Sequence, residues 1–109
     1  MSKTSRTSIA MPARAKKGEI IEIRAIAQHD METGFRYSEA GKVIPRDIIR
    51  TFGCTYNDVE VFRADFYPGM GANPLVTFTT IATETATLEF KWVGDDGYES
   101  INQSHLQVT

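Results

Sequence analysis

A chain of 109 residues, 41% hydrophobic and 24% charged, has room for one modest core and excludes a second domain of ordinary size. The formal net charge of −2 excludes bulk electrostatic binding to nucleic acid, and no run reaches the ~20 apolar residues of a membrane-spanning helix. One cysteine, Cys54, permits no internal disulfide, so cysteine usage leaves the redox compartment open.

The first seventeen residues hold Lys3, Arg6, Arg14, Lys16 and Lys17 and no acid, whereas the remainder has seven basic and fourteen acidic residues. Residues 1–6 are therefore expected to be a flexible basic terminus, solvated rather than bound to an acidic partner. Ile9-Ala10-Met11 is too short for the apolar stretch of a signal peptide and Pro12 follows at once, so no export signal is expected. A first strand is predicted near Thr7–Met11, with Lys17-Gly18 turning the chain into EIIEIRAIA. There Ile21, Ile23, Ala25 and Ala27 share one face and Glu22 and Arg24 the other. Ile20 and Ile26 fall on the polar side, which predicts that this face is partly covered as well.

After a long interruption, alternation resumes over Asp47–Tyr56, with Ile48, Phe52, Cys54 and Tyr56 on one side. Asn57-Asp58 is a tight turn into VEVFRADF, and YPGMGANP has the composition of a loop. LVTFTTIAT and TATLEFKWV follow as strands, and GDDG turns the chain into YESINQSHLQV. About seven strands with turn signals and no helical stripe predict an all-β, immunoglobulin-like sandwich forming one domain over residues 1–109. The Cys–Trp–Cys framework of antibody domains is absent, so the likeness is one of architecture.

The catalytic inventory is thin. A type 1 copper site needs two His, a Cys and usually a Met, but nothing near Cys54 supplies a closely following His or Met. His29 is expected at a strand end and His105 on the last strand, each solvated or hydrogen-bonded, and zinc lacks ligands too. Cys54, between Phe52 and Tyr56 on an apolar face, reads as a small buried hydrophobe rather than a nucleophile. Asp95-Asp96, flanked by glycines, reads as a turn former. No nucleophile-elbow, phosphate-loop or dinucleotide motif is present. No catalytic residue, cofactor or metal is assigned.

The interruption, HDMETGFRYSEAGKVIPRD from His29 to Asp47, sets Met31, Phe35, Val43 and Ile44 among charges, with Gly34 and Gly41 for bends. A long connection carrying its own apolar residues is usually functional or disordered. METGFR, then IPRDII, FGCTYN and EVFRAD in that order, resemble the SoxZ family over most of the chain, from about Ala10 to near the C-terminus.

The resemblance implies the smaller, non-catalytic subunit of the SoxYZ sulfur carrier of thiosulfate oxidation. Its partner would be a SoxY subunit, which owns the cargo cysteine on a glycine-flanked tail, with transient contacts to other Sox enzymes. This chain ends in HLQVT, with neither Cys nor Gly. The resemblance also implies a periplasmic protein exported with its partner, on the partner's signal.

Met, aromatic and Arg side chains are the types enriched at protein interfaces. The candidate contact residues are Met31, Glu32, Thr33, Gly34, Phe35, Arg36, Ile44, Pro45 and Arg46. The competing reading folds Met31, Phe35 and Ile44 back to cap the sandwich, leaving Arg36 and Arg46 solvated. As to function, the alternative to a carrier subunit is a free-standing sandwich that binds a small molecule or carbohydrate. The surplus apolar residues of EIIEIRAIA favour the complex.

Overall fold

The computed structural model describes residues 4–69 and 71–109; residues 1–3 of the basic terminus lie outside them. The described residues form β1 (Thr7–Ala10), β2 (Arg14–Ala15), β3 (Ile20–Ala27), β4 (Ile49–Tyr56), β5 (Val59–Asp65), β6 (Leu75–Ile81), β7 (Ala86–Gly94) and β8 (Glu99–Val108). They build an immunoglobulin-like sandwich of a three-stranded sheet, β1-β3-β6, and a five-stranded sheet, β2-β8-β7-β4-β5. The two-residue β2, parallel to β8, is an addition to the predicted strands. It carries too little alternation to be seen in sequence.

The turns follow from local chemistry. Asn57 and Asp58 both take positive φ, 49° and 65°, as a two-residue hairpin between right-twisted strands requires. Gly18 at φ 89° does the same job before β3. Asp95–Gly97 form a single 3-10 turn rather than a simple hairpin, with Asp96 left-handed at φ 56°.

The core lies between the sheets. Ile21, Ile23, Ala25 and Ala27 are buried from β3 and Val76 and Phe78 from β6, facing Phe52, Cys54, Leu88, Phe90 and Trp92. Phe52 is its centre, with ring centroids 4.5 Å from Trp92 and 6.1 Å from Phe78. Pure alternation breaks at β4. Its pairing with β7 shifts register between Ile49 and Thr51, and both Ile48 and Ile49 are buried. This bulge lets consecutive residues face the core.

Among the described residues the outer face of β3 is covered only in part, with Ile20 68% exposed and Ile26 39%. Three-strand packing leaves the rest of that face turned to solvent. At the start of the described chain, Thr4 bonds Ser100 (2.7 Å), Ser5 bonds Tyr98 (2.6 Å) and Thr7 donates to Asn102, which ties this segment to β8.

Candidate functional site

The segment between β3 and β4 folds as an arm. At its base Glu32 and Asp47 exchange both backbone hydrogen bonds, each 2.9 Å. Further out, the Ile44 N–H donates to the Arg36 carbonyl (2.8 Å), and Tyr37 and Val43 pair as an antiparallel bridge. The Ser38 N–H donates to the Lys42 carbonyl (2.7 Å) and the Gly41 N–H to that of Ser38 (2.9 Å), which closes the tip. Gly41 turns the chain there at φ 78°.

Three anchors hold the base. Met31 is buried, and its Sδ accepts the Ile49 N–H at 3.3 Å. His29 sits at the end of β3, hydrogen-bonded rather than solvated. Its Nδ1 accepts the Met31 N–H (2.9 Å), its Nε2 lies 3.7 Å from Asp47 Oδ1, and its ring stands edge-on to Tyr98. Its backbone exchanges bonds with Asn73, whose N–H donates to the His29 carbonyl (2.8 Å) and whose Oδ1 accepts the His29 N–H (3.0 Å). Third, Asp95 accepts from Arg46 (2.9 Å) and from the Ile48 N–H (3.2 Å), with Arg50 3.4 Å away. Asp95 is therefore more than the turn former expected from its glycine flanks. It clamps the arm to the β7–β8 connection.

The nine candidate residues divide along this arm. Met31 faces the core, so it is placed for packing rather than contact; Glu32, Thr33, Gly34 and Ile44 are half-buried, and Phe35, Arg36, Pro45 and Arg46 are exposed. Phe35 is 82% exposed and does not fold back onto the sandwich. Arg36 is ion-paired with Glu32 rather than only solvated. The hydrogen bond from Arg36 holds the Glu32 carboxyl below the usual carboxylate range and raises the guanidinium in turn. Gly34, at φ 88°, passes so close that a Cβ there would lie 3.1 Å from the Arg46 Cβ.

Sequence reasoning left Tyr37 and Val43 out of the candidates. Both are exposed, and as a cross-strand pair they extend the apolar tip begun by Phe35. The alternation of Phe35 and Tyr37 before Gly41 was the available signal.

The chemistry of the chain is limited by where its nucleophile sits. Cys54 is fully buried, and desolvation pushes its thiol up to about 12. His105 is exposed on β8 while Cys54 faces the core, so they stand on opposite sides of the five-stranded sheet. Among the described residues no three His, Cys, Asp or Glu side chains cluster as metal ligands.

Residues 9–104 match the family model of the sulphur oxidation protein SoxZ. The chain belongs to the SoxZ family. That membership places it in a sulfur-oxidation system. No functionally curated protein matches the sequence.

Among solved structures, the SoxZ-family chain is similar in fold to a single-site variant of the superoxide reductase (neelaredoxin) from Ignicoccus hospitalis. The TM-score is 0.76 and the identity 20%, over 96% of this chain and 81% of that one. It is similar to the sulfur carrier protein SoxY from Chlorobium limicola f thiosulfatophilum, with TM-score 0.66 and 15% identity over 98% and 83% of the two chains. A putative superoxide reductase from Thermotoga maritima matches at TM-score 0.65 and 17% identity, over 97% and 94%. At these identities the likeness is one of fold. The residues present in the SoxZ-family chain do not fit a redox-metal centre, because its two histidines and its cysteine do not converge.

Proposed function

We propose that this SoxZ-family chain is the non-catalytic subunit of a two-chain sulfur carrier. It pairs with a SoxY-like subunit whose cysteine bears the sulfur intermediates, and it helps present them to Sox enzymes. The observation that carries this reading is Cys54. The chain's one thiol lies in the core with its acidity suppressed, so a sulfur-oxidation protein of this build works through a thiol on another chain.

The exposed arm tip, Phe35 and Arg36 with Tyr37 and Val43, is the part of the arm suited to contact a partner. The base is committed to holding the arm in place. The complex acts in the periplasm and is exported with the partner's signal.

Co-expression with the SoxY subunit of the same organism, followed by thiosulfate loading and intact mass measurement of each chain, tests the proposal. The expected result is a stable two-chain complex with every sulfur adduct on the partner. An adduct on Cys54, or a chain indifferent to SoxY, would overturn it. Fractionation of the native cells checks the compartment.

A further inference from the structure

Met31, where the arm leaves β3, sits at φ 55°. A bulky side chain occupies that left-handed region only when its surroundings hold it there. Two bonds hold it. Its Sδ accepts the Ile49 N–H at 3.3 Å, and its own N–H donates to Nδ1 of His29 at 2.9 Å.

The second bond fixes the protonation state of the imidazole. A ring nitrogen that accepts a hydrogen bond carries no proton, so His29 is neutral here with its one ring N–H at Nε2. Nε2 faces Asp47 Oδ1 at 3.7 Å, an ion-pair separation too long for a hydrogen bond. The backbone of His29 is pinned by its two bonds with Asn73, so only the ring is free to respond.

That ring is 8% exposed, yet it lines a cavity of about 600 Å³ that gives water a route to it. The charged groups on the cavity wall are Asp30 and Glu32 from the outgoing leg of the arm and Asp47 from the returning leg. Tyr98, ahead of β8, stands edge-on to the ring, with centroids 5.0 Å apart. Ser5, from the segment before β1, and Asn73, from the β5–β6 connection, are uncharged.

We infer that His29 is a pH-operated latch on the arm: a second ring proton frees the Met31 N–H, and with it the left-handed residue that aims the outgoing leg. Imidazole is the side chain that ordinarily changes charge between neutral and mildly acid pH. A proton on Nδ1 meets the Met31 N–H hydrogen to hydrogen, so that bond is lost. Flipping the ring does not restore it, because an imidazolium has no acceptor nitrogen. Asp47 meets the new charge from the returning leg, so a bond to one leg is exchanged for an ion pair to the other. Met31 then lacks the partner that offsets its backbone strain, and Phe35, four residues on, loses its fixed aim. The latch lies within this chain and stands whichever partner the arm tip meets. It is also separate from the Glu32–Arg36 pair, whose carboxyl titrates below the usual carboxylate range.

The test is NMR of the full chain between about pH 7.5 and 5, following the His29 ring nitrogens and the protection factor of the Met31 amide. Protection factors remove the pH dependence of intrinsic exchange. At the upper end Nδ1 should be the unprotonated nitrogen. Met31 protection should then fall by about 10-fold or more in step with the ring's titration, while the core amide of Phe90 keeps its own. His29→Asn sets an amide oxygen within reach of the Met31 N–H and does not titrate, so Met31 protection in that variant should be flat with pH. His29→Ala should show the low protection of the acid wild type at every pH. If that variant fails to fold, the wild-type titration and His29→Asn decide. A proton on Nδ1 at neutral pH, a ring that does not titrate in this range, or Met31 protection that ignores the titration would overturn the inference. Loosening that persists in His29→Asn would assign the response to the carboxylates and overturn it equally.

Discussion

The carboxylate of Asp95, in the turn after β7, accepts the backbone N–H of Ile48 at the foot of the arm, 3.2 Å away across 47 residues of sequence. Its other oxygen accepts from Arg46. One half-buried acid thus satisfies the buried donor just ahead of β4 and fixes an arginine of the arm. Asp95→Ala should cost about 1.5–3 kcal/mol in urea unfolding, the range for hydrogen bonds to a charged group. It should also speed amide exchange at Glu32 and Asp47. Unchanged exchange in the arm would show that the arm stands without this clamp.

Gly94 packs against the same crossing. A Cβ there would sit 2.6 Å from the Ile48 carbonyl oxygen, backbone that cannot step aside as a flexible side chain can. Gly94→Ala is therefore expected to destabilise by roughly 2–4 kcal/mol, although alanine is ordinarily harmless at an extended φ of −141°. Thermal unfolding that matches the wild type would mean the β4–β7 bulge relaxes freely.

Cys54 is predicted to be inert and dispensable for sulfur transfer. Cys54→Ser should keep carrier function at a cost of about 1–2 kcal/mol, for a buried hydroxyl with a poor partner. The folded chain should resist thiol-specific alkylation until denaturant is added. The thiol's folded pKa, about 12, lies above its ordinary value of 9.0, so the folded state holds a proton that the unfolded chain releases. Stability from this group is therefore full below pH 9 and declines from about pH 9 towards 12. Cys54→Ala should remove that decline. Complete loss of thiosulfate-dependent activity in a folded Cys54→Ser complex would refute the assignment.

The Glu32–Arg36 pair should make the arm acid-sensitive. Arg36 holds the Glu32 carboxyl below its ordinary value, so its contribution is present at neutral pH and is lost as pH falls through that lowered value. Amide exchange measured down the acid limb should show the arm loosening, and Glu32→Gln should abolish the trend. An arm whose protection is flat with pH would remove the pair from the account.

Replacing Phe35 and Arg36 together with Ala should weaken binding of at least one Sox partner by roughly 2–4 kcal/mol while the sandwich stays folded. Titration against SoxY and each pathway enzyme measures it. Equal affinity for all of them would leave the arm tip without a contact role.

Period is what could be read from the residues without a fold. Alternation in EIIEIRAIA, VEVFRADF and TLEFKW assigns strands and inward faces because a pleated strand repeats every two residues, and Asn57-Asp58 marks a hairpin through its tolerance of positive φ. METGFR and IPRDII identified the family. Period alone could not find the bulge that buries Ile48 and Ile49 together, since an inserted residue is invisible until the partner strand is in place. It could not divide Met31 from Phe35 either, because the two differ only in which end of a cross-bonded arm they occupy. Nor could it say that Ile20 and Ile26 stay exposed, because cover depends on which strands end each sheet. β5 and β6 became free edges only through long-range pairing, and that pairing decides which apolar surface stays open.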